Sequence, residues 1–293
     1  MKKKIILGSR GSELALKQTK WVISKLKEAY PGVDYQIKVI TTKGDKILDV
    51  TLNKIGGKGL FVKEIENELL QGTIDMAVHS MKDVPVEMPD GLKIAAVSQR
   101  EDARDVLVSR NNRDLSELLE GAVIGTSSLR RQVQALQLRP DISIVPLRGN
   151  IISRLDKVKT EFDAIILAAA GLRRTHLESH ITQYFEPEQF IPAAAQGILG
   201  IETREHDSIS QEMLKCIHNE NSYICVQAER AFLSTLNGGC HVPIGAYAWV
   251  QGDIIKMYGL FYEGRIIKEY MEGSISKPAE LGTVLAEKIM AQF

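Results

Sequence analysis

Residues 122–131 read Ala-Val-Ile-Gly-Thr-Ser-Ser-Leu-Arg-Arg. A short apolar run passes through a turn of small residues into a helical pattern that opens at Ser128. Strands that hand over to helices in this way build α/β folds. Working outward, the pattern predicts strands over 4–9, 35–42, 74–80, 92–98, 105–109, 122–126, 143–147 and 164–170. It predicts helices over 12–29, 59–71, 128–139 and 151–159, hence parallel sheets with crossover helices. The pattern changes near residue 246. Segments 246–251, 254–262 and 265–271 read as an antiparallel meander turned at Gly252-Asp253 and Glu263-Gly264, with a closing helix from about Lys277. Two α/β domains and a smaller α+β domain beginning near residue 220 are expected.

Composition excludes several classes. At 293 residues, 44% hydrophobic and 25% charged, the chain matches a globular protein of two or three domains. No apolar run approaches the roughly 20 residues needed to cross a bilayer. The start, Met1-Lys-Lys-Lys-Ile-Ile-Leu-Gly, is too brief for a secretory signal, so a cytoplasmic protein is expected. The three cysteines, Cys216, Cys225 and Cys240, have no metal-ligand spacing, and no metal is expected. Zero net charge and 6% aromatics argue against nucleic acid.

The positive charge is nevertheless uneven. Of 15 arginines, 11 lie between Arg100 and Arg174, a stretch with only two lysines. Arginine grips carboxylate or phosphate with two parallel hydrogen bonds. Ten acidic residues in the same stretch also fit solvated helix faces. Position along the chain favours the first reading. The loops after the predicted strands are Gly8-Ser-Arg-Gly-Ser12, Thr41-Thr-Lys-Gly-Asp45, His79-Ser-Met-Lys-Asp-Val-Pro85, Thr126-Ser-Ser-Leu-Arg-Arg131, Leu147-Arg-Gly-Asn150 and Ala170-Gly-Leu-Arg-Arg174. Every one carries a cation. Ligands gather at such strand ends in open α/β sheets, and free N–H groups at helix starts favour anions. Arginine there is poor capping chemistry, which points to anion capture.

Phosphate motifs fail. Gly56-Gly-Lys-Gly-Leu60 lacks the P-loop frame, and no Gly-x-Gly-x-x-Gly occurs. A ligand with several carboxylates suits arginines converging from separate loops. Asp83, in a strand-end loop beside Lys82, could stabilise a developing positive charge, or serve simply as a turn aspartate. His79, alone at a strand end, reads as structural. Cys216 and Cys225 fall in helical patterns and read as buried small hydrophobes. Cys240 follows Asn237-Gly-Gly in a loop, where a catalytic thiol, a covalent attachment point and an ordinary cysteine all remain open.

Five motifs occur in order: Ser80-Met-Lys-Asp-Val-Pro85, Gly125-Thr-Ser-Ser-Leu-Arg-Arg131, Leu147-Arg-Gly-Asn150, Ala193-Ala-Ala-Gln-Gly197 and Gly238-Gly-Cys240. Together, from Gly8 to about Gly245, the chain resembles the porphobilinogen deaminase (hydroxymethylbilane synthase) family. The resemblance implies a transferase of tetrapyrrole and heme biosynthesis. It joins four porphobilinogen molecules head to tail with loss of ammonia, through an electrophilic azafulvene, and water then releases linear hydroxymethylbilane. The cofactor is a dipyrromethane primer, held through a thioether to Cys240 and never turned over. Asp83 matches the catalytic carboxylate. Lys82, Asp83, Ser128, Arg130, Arg131 and Arg148 match cofactor-binding positions. Arg10, Ser12, Arg148, Arg154 and Arg174 match substrate-binding ones, and Arg173 sits where either basic residue is accepted. Lys54, Lys58 and Phe61 match a mobile segment.

The implied fold is two α/β domains resembling type II periplasmic solute-binding proteins, plus a small α+β C-terminal domain with a three-stranded antiparallel sheet. The division then expected is 1–98 with 193–218, then 99–192, then 219–293, in a monomer whose partner is porphobilinogen alone. A non-catalytic carboxylate-binding protein of the same architecture would leave Asp83 and Cys240 unexplained.

Overall fold

The computed structural model describes residues 3–46, 62–237 and 242–293. Lys54, Lys58, Phe61 and Cys240 lie outside the described residues. The described residues divide into two compact units: 3–46, 62–101 and 198–223 form one, and 102–197, 224–237 and 242–293 form the other.

The first unit is built on β1 (Lys4–Ser9), β2 (Asp34–Val39), β3 (Met76–Ser80), β4 (Leu92–Val97) and β10 (Leu199–Arg204), in the order β2-β1-β3-β10-β4. Helix α1 (Glu13–Ala29) returns the chain from β1 to β2. A single turn, α2 (Lys43–Lys46), and α3 (Lys63–Leu70) precede β3. Both faces are covered. Ile5, Leu7, Met76 and Val78 pack with Val22 and Leu26 on one side, while Ile40, Ile65, Leu69, Ile74 and Ala77 cluster separately. Burial on two faces is why these strands read as apolar runs rather than alternations.

The second unit repeats the plan. Strands β5 (Asp105–Ser109), β6 (Val123–Gly125), β7 (Ser143–Val145), β8 (Ala164–Ala168) and β9 (Gln183–Tyr184) lie in the order β7-β6-β8-β5-β9. Helices α4 (Leu129–Leu138), α5 (Ile151–Val158) and α6 (Ala169–Thr175) follow β6, β7 and β8. Leu107, Ile124, Ala135, Phe185 and Phe190 fill one face, and Val106, Leu155, Phe162, Ile165 and Leu172 the other.

Both sheets are mixed, which corrects the expectation of parallel sheets. Strand β10 runs antiparallel to β3 and β4, and β5 antiparallel to β8 and β9. Each is the first strand formed after the chain passes into its unit. No crossover helix ties it to a sheet neighbour, so the demand for parallel pairing does not apply. Residues 170–174, read as a loop, instead belong to helix α6, which starts directly from β8. Cys225 is buried as expected, but Cys216 is exposed, because the helix before it ends at Leu214.

After α7 (Ser208–Leu214) and α8 (Glu220–Thr235), strands β11 (Ile244–Gln251), β12 (Ile254–Glu263) and β13 (Arg265–Ser274) form the antiparallel meander, and α9 (Pro278–Met290) closes the chain. Phe232, Ala246, Met257 and Leu285 centre its core. The three-stranded sheet turns only one face to the helices, which fits its alternating pattern.

Candidate active site

In the first unit β2, β1 and β3 are parallel neighbours, so their following loops emerge at one edge of the sheet. Ser12 caps α1, its side chain accepting from Ala15 N at 3.3 Å, and Arg10 and Ser12 are half-buried. After β3 the chain makes one 3-10 turn, Met81–Asp83. Buried Met81 anchors it, its N–H donating to Ile198 O at 2.9 Å. Gly200 leaves the necessary room, since a Cβ there would stand 2.6 Å from Met81 Sδ. Gln18 Nε2 donates to Ser80 Oγ at 3.1 Å. Held from beneath, the turn leaves Lys82 half-buried and Asp83 exposed. His79 lies 2.9 Å from Glu202 Oε2, both buried, as a diagonal pair across β3 and β10.

In the second unit β7, β6 and β8 are likewise parallel neighbours. Ser128 caps α4, accepting from Arg131 N at 3.5 Å. The loop after β7 is pinned to the loop after β6. Ser127 Oγ donates to Leu147 O at 2.9 Å, and Leu147 N donates back at 3.0 Å. Gly149 has φ 118°, and a Cβ there would collide with Ser153 Oγ, so glycine is required between Arg148 and the cap of α5. That cap is Asn150, which accepts from Ser153 N at 2.9 Å. Arg148 and Arg154 are half-buried, and Arg154 Nε donates to Gly149 O at 2.7 Å. Arg174 Nη2 donates to Gly197 O at 2.6 Å, while exposed Arg173 lies 3.5 Å from Asp102.

Arg130 and Arg131 are buried around a carboxylate that sequence reasoning missed. Asp105, at the start of β5 and wholly buried, meets Arg130 Nη1 at 2.6 Å and Arg131 Nη2 at 2.7 Å. Arg131 Nε adds a bond of 3.0 Å to the same carboxylate. Gln196 Nε2 donates to it at 3.0 Å and to Ala103 O at 2.8 Å. Burial alone would raise the Asp105 pKa. The two guanidiniums outweigh it and hold the carboxyl well below the usual carboxylate range. Two cations on one anion leave the cluster with one net positive charge. The other members of the three loops add to it, because residues 126–131, 147–154 and 169–175 contain no Asp or Glu. Such an edge is built to meet an anion.

The model for "Porphobilinogen deaminase, dipyromethane cofactor binding domain" matches residues 5–212, and that for "Porphobilinogen deaminase, C-terminal domain" matches 223–291. The chain belongs to the porphobilinogen deaminase family. It is 53% identical over 290 residues to the porphobilinogen deaminase of Alkaliphilus metalliredigens, covering 98% of this chain and 92% of that one. Identity to the porphobilinogen deaminase of Listeria innocua is 52%, over 100% and 96% of the two chains, and to that of Clostridioides difficile 47%, over 99% and 98%. Among solved structures, the methionine-binding protein MetQ aligns at 14% identity and TM-score 0.47, over 85% of this chain and 99% of that one.

Proposed function

We propose that the chain joins four porphobilinogen molecules head to tail, releasing ammonia and then linear hydroxymethylbilane, on a dipyrromethane attached through Cys240. As a member of its family the enzyme is a transferase, hydroxymethylbilane synthase. One observation carries the reading onto this chain: the segment matching the cofactor-binding domain contains both sets of cationic strand-end loops, and those of the second unit are free of acidic residues.

Porphobilinogen bears an acetate and a propionate, so each ring added brings two carboxylates. The loops suit that charge, with half-buried Arg148, Arg154 and Arg174, the net positive Arg130–Arg131 cluster, and the positive ends of α4 and α5. When bound, the dipyrromethane supplies the pyrrole carbon to which the next ring is joined. Ser128, Lys82, Arg130, Arg131 and Arg148 would hold its carboxylates. Arg10, Ser12, Arg148, Arg154 and Arg174 would orient the incoming porphobilinogen. Asp83 would face the pyrrole nitrogen, where its negative charge stabilises the cation that develops as ammonia departs and then receives the proton lost on coupling. Lys54, Lys58 and Phe61, outside the described residues, belong to the same reading by their match to the family.

The division into domains 1–98 with 193–218, 99–192 and 219–293 belongs to the same reading. So does a monomeric, cytoplasmic enzyme. Among the described residues no helix is long and apolar enough to cross a membrane.

Intact-protein mass spectrometry of the wild type beside Cys240→Ser tests the proposal. A covalent adduct of dipyrrole mass is expected in the wild type alone. A bare wild-type chain, even after incubation with porphobilinogen, would overturn it.

A further inference from the structure

Glu229 lies on α8, wholly buried, and its two carboxylate oxygens hold two segments far apart in sequence. One oxygen accepts from Ala248 N in β11 at 2.7 Å, and the other from Ala195 N. Ala195 has φ 59°. An alanine enters that left-handed region against the crowding of its own Cβ, so something must keep it there. The next residue, Gln196, reaches Asp105, and Asp105 gathers Arg130 and Arg131. A continuous path therefore runs through the second unit from helix α8 to the arginine pair.

We propose that Glu229 is a positioning residue for the binding of carboxylate-bearing pyrroles. By holding Ala195 left-handed it sets Gln196 against Asp105, and Asp105 then fixes the direction in which Arg130 and Arg131 meet the ligand. The inference rests on the proposed role of that pair in ligand binding. Glutamate suits the position because two N–H groups need two acceptor oxygens on one rigid fork. The amide of Gln would present an NH2 to one of those donors and leave it unsatisfied.

The test compares full-length holoenzymes carrying Glu229→Gln, Ala195→Gly, or both. Losing one charged hydrogen bond in the path should raise KM for porphobilinogen about tenfold while kcat changes by less than about threefold, since Asp83 lies on the other unit. Glycine adopts the left-handed backbone unaided, so adding Ala195→Gly to Glu229→Gln should return KM to within about threefold of the Ala195→Gly reference. A merely structural glutamate would lower thermal stability with KM unmoved, or would give a KM defect that glycine does not repair. Either result overturns the inference. Should Glu229→Gln fail to fold, Gln196→Leu breaks the next link and leaves the Ala248 bond intact. The same rise in KM is expected, and an unchanged KM refutes the path. A wild type that never gains the dipyrrole adduct removes the proposed function and this inference with it. An active, adduct-bearing wild type whose KM is insensitive to these changes removes the inference alone.

Discussion

The loop after β1 and the loop after β6 hold equivalent places in the two units. Each leaves a strand flanked by parallel neighbours, passes through small residues and enters a helix capped by serine, Ser12 in one and Ser128 in the other. They part company in the first helical turn. Helix α1 begins with Glu13, which suits the positive end of a helix and pairs with Lys17 at 3.0 Å. Helix α4 begins with Leu129-Arg130-Arg131, whose cations oppose it. The opposition is borne because Asp105 arrives from β5 to share its carboxylate between them. The first unit obeys the local rule. The second breaks it and repairs the break with a distant residue, at the place where an acidic ligand would dock.

That contrast can be broken most severely at Asp105. Asp105→Asn should destabilise the protein by about 3–5 kcal/mol in urea unfolding, because two buried guanidiniums lose their counter-charge. Acid should erase the difference. The folded carboxyl titrates below its unfolded value, so its contribution is complete above about pH 4 and fades as pH falls towards the folded pKa. The gap between wild type and Asp105→Asn should therefore narrow below pH 4. A gap that widened there would contradict the assignment.

Asp83 sharpens the same contrast, being an exposed aspartate on the first unit. Asp83→Asn should lower turnover by about 10²–10³ through lost charge stabilisation, with adduct still present. Its unfolding free energy should stay within about 0.5 kcal/mol of wild type. Unchanged turnover would remove its proposed role. The smallest effect is expected in α1. Glu13→Lys copies the inverted first turn without a buried partner, and calorimetry should register a loss of about 0.3–1 kcal/mol.

Much of this architecture was legible in the sequence, and the exceptions share a cause. Strands buried on both faces, such as β1 and β8, announce themselves as apolar runs. Strand β10, Leu-Gly-Ile-Glu-Thr-Arg, does not, because Gly200 makes room for Met81 and Glu202 is matched by His79, distant in sequence. Helix α6 is short and holds Gly171, so it reads as a loop. The arginine-rich strand ends were visible from residue type and position. Asp105, Gln196 and Glu229 were not, since each takes its meaning from partners that no local period brings near. The quoted Ala193–Gly197 motif was the available signal, yet nothing in its composition announces a left-handed alanine.

The place of β10 between β3 and β4 also sets an order of events during synthesis. Residues 105–184 contain every strand of the second sheet, which can close as soon as they emerge. The first sheet waits for Leu199–Arg204, made about 100 residues after β4. At roughly 5–20 residues per second this leaves the facing edges of β3 and β4 without their strand for about 5–20 s. Of the two five-stranded sheets, the one that begins first on the ribosome is completed second, and its open edges make that interval one in which the nascent chain is exposed to aggregation.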